Sequence, residues 1–320
     1  MSREPVALAQ RLRAGDRSAA PAVLNLVETR TPEARAQTAE LLAALSPAAL
    51  GAEAPAHVVG ITGPPGVGKS SLLSRLIAEW RARGRSVSVL AVDPSSRRSG
   101  GALLGDRARI ERDPADRDIF IRSTAAGERM GGLAPATRAA AAALATAFDI
   151  VVIETVGVGQ SETDVADVAD SVAVIVQPGS GDVLQFLKSG IMEIPDLLVV
   201  TKADLGRPAD RALADLRSAV RSLGSATEVL AVSSVAPATG IDALADALER
   251  HRTSLDLTDR RGRSRRMHAL ADFTAEHGER GLRALGGRRA AERRLATQPP
   301  EADVAALERV LEAVAEEDHT

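Results

Sequence analysis

The stretch HVVGITGPPGVGKS, residues 57–70, decides the fold. A β-branched run passes directly into the pattern G-x-x-x-x-G-K-[ST], from Gly63 to Ser70, and the amphipathic run Ser71 to Trp80 follows it. Strand, glycine-rich turn and helix in that order are the context that gives the pattern meaning. The glycines let backbone N–H groups close around phosphates at a helix N-terminus, Lys69 bridges the outer phosphates, and the Ser70 hydroxyl ligates magnesium. Gly63, Pro64, Pro65, Gly66, Val67, Gly68, Lys69, Ser70 and Ser71 are therefore the candidate nucleotide-binding residues, with Lys69 also a candidate catalytic group.

Outward from this stretch, short apolar runs alternate with helical ones at 57–62, 86–92, 118–122, 149–154, 171–177, 196–201 and 227–233. Continuous apolar strands separated by helices predict an α/β fold of the P-loop nucleotide-hydrolase kind. Its sheet would be mostly parallel, covered by helices on both faces, with ligands at the carboxyl ends of the strands. Residues 1–55 read as an N-terminal helical extension, in which Thr31-Pro32 is a helix start, and the nucleotide domain is expected over 56–250. Residues 251–320 read as an Arg-rich helical arm, a solvated segment or dimer contact. Between 251 and 294 it carries twelve arginines against six acids.

Composition narrows the function. With 45% hydrophobic residues but only 2% aromatic, the core has to be packed by Leu, Val, Ile and Ala. A net charge of -3 argues against a general nucleic-acid or anionic-membrane binder. The absence of cysteine excludes disulfides and thiolate chemistry. The first twenty residues hold no signal-peptide core, and no apolar run approaches the ~20 residues that span a bilayer, so the cytoplasm is expected. Of 40 basic residues only Lys69, Lys188 and Lys202 are lysine. Lysine survives here where a compact ammonium on a flexible stem is needed.

A second motif, Thr201-Lys202-Ala203-Asp204, ends the sixth apolar run and is close to the guanine-reading pattern [NT]-K-x-D. The Asp204 carboxylate can accept from the N1–H and exocyclic amine of guanine, whereas adenine would set an acceptor against it; GTP is predicted over ATP. Lys202 would lay its stem along the base, and Ser234-Val235-Ala236 would complete the pocket. Two strand-end acids, Asp93 and Glu154, fall where such a fold holds Mg2+, and Gly157 falls where a backbone N–H can sense the γ-phosphate.

The strings AVDPSS (91–96), SGGALLGDRAR (99–109), ETVGVGQSE (154–162) and GDVLQFLKSGIMEIPD (181–196) resemble the MeaB/ArgK group of GTPases, from about Leu8 to Ala236. The resemblance implies a GTP-binding and GTP-hydrolysing chaperone of a cobalamin-dependent acyl-CoA mutase of the methylmalonyl-CoA type. Such a chaperone gates adenosylcobalamin loading, protects or reactivates the mutase, and dimerises through the C-terminal arm. It implies Ser70, Asp93, Asp106 and Glu154 as magnesium-site residues, and Asp182, Gln185 and Lys188 as a segment signalling between nucleotide and mutase. This chain departs from the group's usual residues at Arg107, at Thr201, over 123–132 and in the aromatic-poor tail.

No glutamine follows Gly157; Val158 stands there and Gln160 lies further on, so intrinsic hydrolysis is expected to be slow. Two other readings remain open. A metal-delivery GTPase would need ligands, yet His57, His251, His268, His277 and His319 show no ligand spacing. A kinase acting on an amino-acid transport component would transfer phosphate to protein instead of water.

Overall fold

The computed structural model describes residues 3–29, 31–93, 110–125, 133–155, 164–179 and 195–317. They divide into two compact units, 56–254 and a helical unit made of 1–55 with 255–320. The segments expected as separate terminal extensions thus fall in one unit.

In the larger unit the strands are β1 (His57–Thr62), β2 (Val87–Asp93), β3 (Ile119–Ala125), β4 (Ile150–Glu154), β5 (Ser171–Val176), β6 (Leu197–Val200) and β7 (Glu228–Ala231). They form a sheet of order β3-β2-β4-β1-β5-β6-β7, with every pairing parallel. The chain leaves β1 toward one side and returns to build the other from β5 onward, which places the residues after β1 at the switch point where such sheets bind ligands. Strands β1, β4, β5 and β6 are buried along their whole length, as continuous apolar runs between two helical layers must be. The edge strand β7 is only partly covered.

The core is aliphatic. Leu72, Leu73, Leu76 and Ile77 from one face of a helix pack with Val59, Ile61, Val89, Val152 and Ile175 of the sheet, joined by Trp80. That helix runs from Lys69 to Ala82, so Lys69 and Ser70 sit in its first turn. Further helices are Pro135–Leu144, Arg207–Ser222 and Ile241–Ser254.

The amino edge of the sheet follows a regular rule. An aspartate precedes each of β4, β5 and β6, and its Oδ2 accepts from a backbone N–H on or next to the neighbouring strand. Asp149 caps Ser86, Asp170 caps Val58 and Asp196 caps Val172, each at 2.8 Å. Parallel strands begin with unpaired N–H groups, and each such bond contributes about 1 kcal/mol while avoiding a larger desolvation cost.

In the helical unit, the helix Pro32–Ala44 starts at Thr31, whose hydroxyl accepts from Ala34 N at 3.2 Å. The helix Leu257–Ala284 is kinked at Gly278, and Phe273, Leu282, Leu295, Leu307 and Leu311 share one buried cluster. The Arg-rich run is consumed structurally within this unit. Arg265 pairs with Glu53 at 2.6 Å and donates to Pro300 O, Arg261 donates to Ala54 O at 2.7 Å, and Arg266 donates to Gln298 O at 3.1 Å. Among the described residues no helix is long and apolar enough to cross a membrane.

Candidate nucleotide site

The loop between β1 and its helix can only be built with glycine at its start. Gly63 has φ 141°, and a Cβ there would lie 2.2 Å from Ile175 O. Gly68 (φ 98°) caps the helix without a side chain, leaving the first-turn N–H groups facing the loop. Lys69 is almost fully buried, and its ammonium donates to Gly63 O at 2.7 Å and Pro64 O at 3.1 Å. It is held over the loop by carbonyls that phosphate oxygens can replace.

Register brings the first strand-end acid to the loop. Glu154 lies beside Ile61 across the β1–β4 pairing, and its buried carboxylate accepts through Oε1 from the half-buried Ser70 Oγ at 2.9 Å. A hydroxyl and a carboxylate, both oxygen donors, at the edge of a phosphate loop are the ligand chemistry that suits Mg2+. Asp93 is the last residue of β2. Thr155 closes the corner, its hydroxyl donating to Thr62 Oγ1 at 2.8 Å.

The base-reading loop is tied to the phosphate loop. Thr201 Oγ1 lies 2.7 Å from Val67 O and 3.0 Å from Val176 O, so its single proton serves one carbonyl of the phosphate loop and one at the end of β5. Lys202 has a left-handed backbone (φ 56°, ψ 41°), which turns its side chain back over the phosphate loop. Its ammonium donates to Gly66 O at 3.2 Å and to Gln177 Oε1. Asp204 is exposed, in the 3-10 turn Ala203–Leu205, and its Oδ1 accepts from the buried Ser233 hydroxyl at 2.6 Å. Ser233 leaves the rest of that carboxylate open to a ligand. Ser234 O accepts from Arg75 Nε at 3.0 Å, Val235 N donates to Ser233 Oγ, and exposed Ala236 leads into a cis peptide with Pro237.

Beyond β4, Asp164 Oδ2 accepts from Leu133 N at 3.2 Å. Nearby Asp167 is pushed up to about 6, first by burial and then by the Asp164 carboxylate, with Arg138 opposing.

The family model described as methylmalonyl Co-A mutase-associated GTPase MeaB matches residues 20–281. The chain belongs to this family. The resemblance read from the strings at 91–109 and 154–196 therefore holds. MeaB relatives include a provisionally named GTPase of Pyrococcus abyssi (strain GE5 / Orsay), 42% identical over 268 residues that cover 81% of this chain and 79% of that protein. A second, from Caulobacter vibrioides, is 42% identical over 251 residues, 77% of this chain and 76% of that one. The mitochondrial methylmalonic aciduria type A homolog of Caenorhabditis elegans is 42% identical over 201 residues, 60% of this chain and 50% of that protein. Among solved structures, an LAO/AO transport system kinase superposes with a TM-score of 0.66 at 27% identity, covering 100% of this chain and 99% of that one.

Of the residues singled out in the sequence, Asp106, Gly157, Asp182, Gln185 and Lys188 lie outside the described residues. The phosphate loop, Ser70 with Glu154, and the stretch 201–204 come together at the carboxyl ends of β1, β4 and β6. Ser233 and Gln177 were not singled out; the serine just before Ser234 was the one available signal, and nothing local marked Gln177.

Proposed function

We propose that this MeaB-family chain binds magnesium-GTP, hydrolyses it slowly to GDP and phosphate, and uses the two nucleotide states to change its grip on a cobalamin-dependent acyl-CoA mutase of the methylmalonyl-CoA type. Through that grip it gates adenosylcobalamin loading and protects or reactivates the mutase. The observation that carries the nucleotide part is the convergence of Lys69, the Ser70–Glu154 pair and the Ser233-held Asp204 on one edge of the sheet. The family match and the methylmalonic aciduria homolog support the partner class.

In this reading Lys69 exchanges its two carbonyl partners for oxygens of the β- and γ-phosphates, neutralising the charge that grows as the terminal phosphoryl group leaves. Ser70 and Glu154, with Asp93 and Asp106, would hold Mg2+, which supplies further neutralisation there. Asp204 accepts from the N1–H and exocyclic amine of guanine, and Ser233 fixes its carboxylate beforehand. The Gly157 N–H senses the γ-phosphate, and Asp182, Gln185 and Lys188 pass its presence to the mutase.

Two measurements test this. Calorimetry should show GTP and GDP binding with magnesium while ATP fails to compete. Immobilised chain loaded with GDP or a non-hydrolysable GTP analogue should retain a cobalamin-dependent acyl-CoA mutase unequally, because a ligand shifts a state only through differential affinity. Equal retention sinks the switch.

A further inference from the structure

Lys202 is one of three lysines in a chain that otherwise uses arginine, and its left-handed backbone is a conformation that non-glycine residues adopt only against a strain cost. The surrounding backbone fixes that turn: Thr201 N donates to Val176 O at 2.9 Å and Ala203 N donates to Val232 O at 3.0 Å. The long side chain beyond it has no such frame. What holds its ammonium is one carbonyl from the phosphate loop, Gly66 O, and one side chain, Gln177, which directly follows β5.

We infer that Gln177 is a positioning residue for the guanine nucleotide, pinning the Lys202 ammonium so that its stem is already laid against the plane the base occupies. The inference rests on the assignment of Lys202 to the base pocket. A free lysine side chain loses rotamer entropy when a ligand orders it, and an acceptor that orders it in advance removes that cost from binding. The geometry selects the residue types. A compact ammonium can be shared between acceptors on two loops where a planar guanidinium cannot, and a side-chain oxygen at 177 is the acceptor that shares it with Gly66 O. Thr201 makes a parallel tie one residue earlier, through Val67 O and Val176 O, so the base loop, the phosphate loop and the end of β5 are joined by two adjacent side chains.

The test is GDP and IDP binding with magnesium to the full chain and to Gln177→Met, Gln177→Glu, Lys202→Ala and the double variant Gln177→Met/Lys202→Ala. Gln177→Met should weaken GDP about five- to tenfold, the loss of one hydrogen bond to a charged group at a partly exposed site. The GDP-to-IDP preference should stay unchanged, since Asp204 and not Lys202 reads the exocyclic amine. Thermal stability without nucleotide and the single-turnover rate at saturating GTP should also be unchanged, which a merely structural role would not predict. Gln177→Glu, which keeps the acceptor, should restore GDP affinity to within about twofold, and the double variant should bind no worse than Lys202→Ala alone. Wild-type affinity in Gln177→Met, no rescue by glutamate, or additive losses in the double variant would overturn the inference while leaving the base pocket intact. Undiminished GDP binding by Lys202→Ala would instead overturn the pocket assignment itself, and the inference with it.

Discussion

At the carboxyl edge of the sheet Lys69, Thr201 and Lys202 bond mainly to backbone carbonyls, whereas at the amino edge of the same strands polar side chains bond to one another. The amino edge holds a chain of four residues. His57 Nε2 and His251 Nδ1 each lie 2.7 Å from Ser171 Oγ, and His251 Nε2 lies 3.2 Å from Asp196 Oδ1. With His251 donating to Asp196, its other nitrogen accepts the Ser171 proton, and His57 donates to the same hydroxyl. Ser171, His251 and Asp196 have the composition of a hydrolytic triad, but the serine is fully buried with a ring on each side, so it serves as a junction. The contrast teaches what separates a site from a brace. Donors parked on replaceable carbonyls can turn to a ligand, while a closed network of side chains has nothing left to offer one.

Four variants probe that contrast. Lys69→Ala removes the ammonium that turns from Gly63 O and Pro64 O to the phosphate oxygens; without those charge-assisted bonds, about 1.5–3 kcal/mol each, GTP affinity should fall by more than about a hundredfold in calorimetry. Retained affinity would break the view of the carboxyl edge as the site. Glu154→Gln should raise the magnesium concentration needed for GTP binding by about 10- to 100-fold in a titration, with little change in thermal stability.

Ser171→Ala should do the reverse. It leaves two ring nitrogens without their shared partner, which costs about 1–3 kcal/mol in urea unfolding, while nucleotide affinity stays at the wild-type value. An effect on GTP binding would erase the distinction between the two edges.

The smallest effect belongs to Asp167. Its carboxyl is raised from 3.8 to about 6, so in that window the folded chain binds more protons than the unfolded one. Its contribution to stability is therefore full below about pH 4 and lost as pH climbs through 6. Asp167→Asn should stabilise the chain at pH 7 by about 1 kcal/mol, a figure discounted for screening at a partly exposed group. It should also flatten the profile between pH 4 and pH 6, measured by urea unfolding across that range.

Much of the nucleotide edge was legible because its chemistry is local. A strand, a glycine turn and a helix start are written in consecutive residues, and Thr201, Lys202 and Asp204 share a single turn. The strand runs read from the sequence match the seven observed to within a few residues at their ends. What stayed hidden was pairing at long range. Ser233 was passed over although it holds Asp204, and the histidines were judged by their spacing although two of them meet on Ser171. The arginines at 261 and 265 read as part of a solvated arm or dimer contact, and the structure pairs them with Ala54 and Glu53, some two hundred positions earlier.

The sequence by itself determined the strand periodicity, the phosphate loop, the base-reading turn and the family, since each depends on residues a few positions apart whose backbone preferences and side-chain chemistry act within one element. Only the tertiary structure decided which acid meets Ser70, which hydroxyl fixes Asp204, what anchors Lys202 and where the basic tail is neutralised. Those contacts are set by the order in which parallel strands lie side by side, and that order follows from how the whole chain buries its apolar surface and not from any short stretch of it.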